Sequence, residues 1–227
     1  MSSRDARPVV RVAIVDSGIH ASHPHVQGVA GGVAIDPEGR LSGDWVDRLG
    51  HGTAVTAVIR EKAPAASIFA VKVFDRELTT TATALVAGID WAIAHECALV
   101  NLSLGTSNPE HRAALAAAIE RARAHHVTVV AAGPEPGVEW LPGSLPSVVA
   151  VELDWTIARD QCRTVEHSAV AMRIRASGYP RPIPGVSPDY NLKGLSFAVA
   201  NVTGLLAAAL EQNRAHVAKI VKDWSIS

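Results

Sequence analysis

At 227 residues, with 48% hydrophobic and 19% charged residues, the chain carries enough apolar material for one packed domain and lacks the composition of a disordered segment. Lys and Arg number 21 against 22 Asp and Glu, a formal net charge of -1, so no overall field draws it to nucleic acid or to an anionic membrane. Two cysteines, Cys97 and Cys162, are too few for a disulfide framework and lack metal-ligand spacing, and both are expected to be buried thiols.

Residues 1–8 form a short polar lead into a strand-like run, with no apolar stretch ending in a small-residue cleavage site, and a cytoplasmic location is the expectation. From there, Val9–Val15, Ser67–Phe74, Ala98–Leu104, Val127–Ala132 and Ser147–Leu153 have strand length without strict alternation, the pattern of strands covered on both faces. Between them His51–Glu61, Thr80–His95, Pro109–His125 and Ser196–Gln212 read as helices. Thr79, Thr80 and Thr81 offer N-cap hydroxyls, and Asn108-Pro109 opens a helix with proline where no amide donor is needed. The alternation predicts an α/β fold of one domain, a mostly parallel sheet with helices on both faces.

From Thr156 to Lys193 the Pro- and Gly-rich sequence is read as loops and short edge strands. The domain is placed at 9–213. The tail, 214–227, carries Val217, Ile220, Val221 and Trp224 at helical spacing, which suits docking on a partner or on its own domain, the second being the expectation. The most apolar stretch, Ser196 to Leu210, contains Asn201 and several small residues and is too short to be read as a membrane span. Asp36, Glu38, Asp44 and Asp47 lack an EF-hand rhythm and read as a solvated acidic loop, so no metal and no other cofactor is assigned.

Three segments carry chemistry. Asp16 ends the first strand, where an open parallel sheet presents ligands to its carboxyl edge; Asp16 read alone could equally be a structural aspartate capping its own turn. His51, flanked by Gly50 and Gly52, opens a helix; one histidine of 10 proves little by itself. Ser196 also opens a helix, which leaves first-turn donors near any oxyanion formed beside it, although Ala198, Ala200 and Gly204 equally suit close helix packing. The order Asp, His, Ser is that of one of the convergent serine triads.

Together, DSGIHASHP, HGTAV and GLSFAVANVTG resemble the Asp, His and Ser motifs of the subtilisin-like serine peptidases, and APAASIFAVKVF, GIDWAIAHECALVNLSLG and VTVVAAGPEPG follow that family in register. The resemblance implies that Asp16 orients His51, that His51 takes the proton of Ser196, and that Ser196 attacks a peptide carbonyl to form an acyl-enzyme. It further implies that Ser103, Leu104 and Gly105 pair with an extended peptide, and that Ala131, Ala132 and Gly133 wall the pocket for the residue before the cleaved bond. Trp140 falls at the floor of that pocket, which would make it shallow, or else is simply a packed loop tryptophan.

The sequence also departs from the family. Pro134 stands where an Asn donates to the oxyanion, leaving the Ser196 backbone N–H as the identified donor, with Asn191 or Asn201 as side chains that would have to reach the site. Leu195 replaces a usual Thr, Ala200-Asn201 a usual Pro-His, and Ala54 a His. The leading expectation is a serine endopeptidase acting on a restricted peptide, such as a precursor; the alternatives are a peptide-binding pseudopeptidase or assembly module, and a ligase or cyclase using the same acyl-enzyme. The expected partner is an extended peptide or protein substrate, with no nucleic acid or membrane, and an oligomer or a partner protein is left open.

Overall fold

The computed structural model describes residues 9–135, 137–168, 170–213 and 217–223. Among them one sheet contains β1 (Arg11–Asp16), β2 (Gly31–Ile35), β3 (Leu41–Ser42), β4 (Ser67–Lys72), β5 (Leu99–Leu102), β6 (Thr128–Ala132), β7 (Val149–Leu153), β8 (Cys162–His167) and β9 (Met172–Ala176). The spatial order is β3-β2-β4-β1-β5-β6-β7-β9-β8, and all but the edge strands β3 and β8 run parallel. The helices are α1 (His51–Lys62), α2 (Ala82–Ala94), α3 (Arg112–Ala124), α4 (Leu195–Asn213) and α5 (Val217–Asp223).

Successive strand residues point to opposite faces, and β1 shows the result. Val12 and Ile14 enter the core under α1, α4 and α5, whereas Ala13 and Val15 enter the second core under α2 and α3. Burial on both faces is why these strands show no polar alternation. Thr81 caps α2, its hydroxyl accepting from Ala84 N–H at 3.2 Å, and Asn108 caps the short 3-10 turn Pro109–His111 that leads into α3.

α4 is long and apolar enough, by length and composition, to cross a bilayer. Here Phe197, Val199, Val202 and Leu206 are buried in the core it shares with α1, each worth about 1.5–3 kcal/mol of removal from water. In α5, Val217, Ile220 and Val221 join the same core, and Thr164 Oγ1 donates to Val221 O at 2.8 Å; Trp224 lies outside the described residues.

In the fold, β2, β9 and Cys162 depart from the reading of the sequence. β2 was not foreseen, because its Gly31 and Gly32 dilute the strand signal in GGVAI; Gly32 has no room for a Cβ, which would sit 2.8 Å from Ala70 Cβ. β9 is no edge strand: it lies between β7 and β8, in a segment whose charged residues Arg173 and Arg175 hide a buried Ile174. Cys162 is half-buried, although burial still pushes its thiol pKa up to about 12, as it does that of the fully buried Cys97.

Candidate catalytic site

Asp16 ends β1 at the place where the chain, having laid β2 and β4 on one side, turns to lay β5 and β6 on the other, so the crevice opens at this carboxyl end. The Asp16 side chain is fully buried. Its Oδ1 accepts the Ser17 N–H at 2.7 Å, and His51 Nδ1 lies 2.8 Å from Oδ1 and 3.0 Å from Oδ2. With Nδ1–H given to the carboxylate, the neutral imidazole keeps its lone pair on Nε2.

Local packing enforces this approach. A Cβ on Gly52 would sit 2.2 Å from Gly18 O, so glycine alone lets the first turn of α1 press on the turn after β1. Asp47 locks the same turn: its Oδ1 accepts from Ser17 Oγ at 2.8 Å and from the Leu49 and Gly50 N–H groups, while its Oδ2 accepts from Thr53 N–H and Oγ1. Ser17 Oγ in turn accepts the Gly52 N–H at 2.9 Å. Asp47 is only 8% exposed, which corrects its reading as a solvated residue; Asp36, Glu38 and Asp44 are on the surface with Arg40 and Arg48.

Burial opposes charging of His51. The hydrogen bond to Asp16, with the charges of Asp16 and Asp47, outweighs it and raises the imidazole pKa above its ordinary value.

Ser196 stands in the first turn of α4, where its N–H has no intrahelical acceptor. The helix start is pinned by Gly194 N–H donating to Gly178 O at 2.9 Å. The Phe197 ring lies 5.9 Å from the His51 ring, centroid to centroid, which sets the imidazole beside this turn. Ser196 Oγ donates to Ser103 O at 3.2 Å, and among the described residues no hydrogen bond joins it to His51.

Ser103 answers reciprocally, its Oγ donating to Ser196 O at 3.2 Å and accepting from Asn101 Nδ2 at 2.8 Å. Thr203 Oγ1 lies 2.9 Å from both Asn101 Oδ1 and Val199 O, which ties β5 to the body of α4. Asn101, Thr203, Ser17, Asp47 and Thr53 were not singled out as site residues; their signal was polar side chains inside otherwise apolar or motif-bearing runs.

The remaining candidates gather at the ends of β5 and β6. Ser103, Leu104 and Gly105 continue β5, and Ala131, Ala132 and Gly133 close β6, with Gly133 N–H donating to Val151 O at 2.8 Å. Segment 140–143 ties the two together: Thr106 and Leu141 exchange backbone hydrogen bonds of 2.9 Å, and Gly143 packs so tightly on Ala132 O that no Cβ fits. A Cβ on Gly105 would meet the Trp140 ring at 3.6 Å, so the half-buried indole lies against the Ser103–Gly105 segment; its buried Nε1–H has no partner among the described residues.

Pro134 follows, with no N–H to offer. The two asparagines considered as replacements point elsewhere. Asn201 Nδ2 donates to Ser177 O at 2.8 Å and Tyr179 O at 3.1 Å, and Asn191 Nδ2 donates to Arg181 O at 3.2 Å.

A family model described as the subtilase family matches residues 8–152, a span that includes Asp16 and His51. Subtilisin E of Bacillus subtilis (strain 168) is 29% identical over 211 residues, covering 86% of this chain and 52% of its own length. Subtilisin DY of Bacillus licheniformis is 32% identical over 220 residues, covering 89% of this chain and 77% of its own length. The chain thus spans about half the length of the first curated relatives it matches. Among solved structures, a cold adapted subtilisin-like serine proteinase superposes with a TM-score of 0.72 at 23% identity, covering 94% of this chain and 80% of that one. The protease domain of PatA, solved as a serine-to-alanine mutant, gives 0.67 at 24% identity, covering 94% and 85%. These two likenesses bear on the fold.

Proposed function

The chain belongs to the subtilase family, and from that premise we propose that it is a serine endopeptidase whose nucleophile is Ser196. The observation that carries the reading is the Asp16–His51 pair, 2.8 Å apart at the mouth of the sheet, with Ser196 on the adjoining helix start. In the proposed reaction the Ser196 hydroxyl exchanges Ser103 O for His51 Nε2 by rotating about χ1. His51 takes its proton as Oγ bonds to the peptide carbonyl carbon, then returns that proton to the leaving amine. Water, giving a proton to the same imidazole, then bonds to the acyl carbon, and that proton passes to Ser196 Oγ as the Oγ–carbon bond breaks and the acid leaves.

Asp16 holds the ring and stabilises the imidazolium. The Ser196 N–H faces the oxyanion, and Pro134 supplies no second donor, a deficit on the scale of about 10²–10³ in kcat. An extended peptide pairs along Ser103–Gly105, and Trp140 leaves room only for a small side chain before the cleaved bond. We place this activity on a restricted peptide substrate, such as a precursor, in the cytoplasm, a location that suits the two unpaired cysteines. Covalent labelling by a fluorophosphonate, abolished in Ser196→Ala, tests the reading; a folded wild-type protein that never takes the label overturns it.

One observation favours a second reading, a peptide-binding pseudopeptidase. The Ser196 hydroxyl is engaged by Ser103 O, away from the imidazole, beside a donor-poor oxyanion site. Ser196→Ala retaining full biological function would select it.

A further inference from the structure

A cavity of about 430 Å³ opens beside Gly50, the chain neighbour of His51, and is walled by the loop after β1 and by residues 180–192 ahead of Ser196. His20, His23, His25 and Arg181 line it, with Ile183 and Leu192 as its apolar rim. We infer that this cavity receives an acidic side chain of the peptide, carried within two residues after the cleaved bond. The inference rests on the peptidase reading above for its direction.

Direction comes from the two sides of the sheet. Leu104 and Leu141, next to the proposed peptide edge and Trp140, belong to the core under α2 and α3. The cavity instead uses Ala54 and Ala57 of α1, on the face covered by α1 and α4. A peptide entering along Ser103–Gly105 and crossing Ser196 leaves toward that second face, so the leaving-group side meets the cavity.

Charge comes from what is spent and what is not. Arg181 is half-buried, and its guanidinium has no hydrogen bond or ion pair among the described residues. Among the described side chains, the carboxylates of Asp47 and Glu61 nearby are committed. Asp47 accepts five hydrogen bonds from Ser17, Leu49, Gly50 and Thr53, and Glu61 is held by Arg159 and Lys62. His23 Nδ1 accepts the His25 N–H at 3.2 Å, which leaves its Nε2 protonated and a donor. Burial first, and then the charges of Arg181 and His23, push the His25 pKa down, with Glu61 opposing them. An unpaired guanidinium with the donor imidazole of His23 in the same cavity is complementary to a carboxylate, and an apolar rim strengthens such a contact by excluding water.

The test digests a random decapeptide library with the wild-type protein and reads the new amino termini by mass spectrometry. Asp and Glu should exceed Asn and Gln about tenfold at one of the first two positions, the worth of one charge-assisted pair. Arg181→Gln should bring that ratio to near one, and Arg181→Lys should keep most of it. Cleavage without acidic enrichment, or enrichment that survives Arg181→Gln, overturns the inference while leaving the peptidase reading intact. If nothing is cleaved, the peptidase reading has failed, and the cavity is judged by binding. Fluorescent decapeptide pools carrying Glu or Gln in their last five positions are then titrated onto Ser196→Ala. Tighter binding of the Glu pool, weakened by salt, supports the cavity's role; equal or absent binding ends it.

Discussion

Asp16 Oδ1 is shared between two donors, the Ser17 N–H at 2.7 Å and His51 Nδ1 at 2.8 Å, so one buried oxygen fixes both the turn after β1 and the imidazole. An amide in its place can still accept at one atom but presents N–H where the second acceptor was. Asp16→Asn is expected to stabilise the wrong tautomer and lower kcat by about 10⁴. Steady-state kinetics beside a circular dichroism spectrum checks this; native activity in that variant would remove Asp16 from the reaction.

The raised pKa of His51 has opposite consequences for rate and stability. A general base must be neutral, so kcat/KM should climb with pH through a midpoint above 6.5, the ordinary histidine value. The protonated His51–Asp16 pair stabilises the fold fully below the unfolded pKa, and this contribution is lost as pH rises through the folded pKa. A pH–rate profile whose acid limb lies below 6.5 would contradict the assignment.

Pro134→Asn returns a side-chain amide to the position that lacks one. If Ser196 N–H is the remaining oxyanion donor, this substitution should raise the acylation rate by as much as about 10². The rate of fluorophosphonate labelling measures it. No gain, with the protein folded, would mean that another group already serves there.

Trp140→Gly removes the indole that lies against Gly105. Preference before the cleaved bond should shift from small residues toward Leu and Phe, with cleavage of such peptides rising about tenfold or more, since each buried methylene is worth about 0.8 kcal/mol. Product mapping by mass spectrometry decides; an unchanged preference would make Trp140 a packing residue only.

Asp47→Ala leaves five donors around Ser17 and the start of α1 without their acceptor. The expected cost is about 3 kcal/mol of stability, read as a lowered Tm, together with lost activity as the turn before His51 loosens. Burial works against the Asp47 carboxylate, but its hydrogen bonds with Thr53, Gly50 and Leu49 prevail and depress its pKa. Its contribution is therefore present above the ordinary value of 3.8 and is lost as pH falls through the depressed one.

The parts of this molecule that were legible in the sequence are those where one strong pattern dominates. Five doubly buried strands and four helices announce themselves by apolar runs and period, and Asp16, His51 and Ser196 by short motifs at element ends. What escaped depends on partners distant in the chain. Asp47 looked like one more acid in a loop until Ser17 and Thr53 surrounded it. β9 carries two arginines whose pairing with Glu152 no local window can foresee. Asn191 and Asn201 were plausible oxyanion donors by proximity along the chain, and the backbone carbonyls that claim their amides come from residues 177–181.

Gly204 brings α4 onto α1 so closely that a Cβ there would sit 3.2 Å from Ile59 Cα. At this one point the helix bearing the hydroxyl and the helix bearing the imidazole come within reach of backbone contact, while Phe197, Val199, Val202 and Leu206 fill the rest of the core they share. Their mutual placement is consequently a property of the scaffold's interior, and surface connections can be trimmed or extended while the reacting atoms keep their spacing.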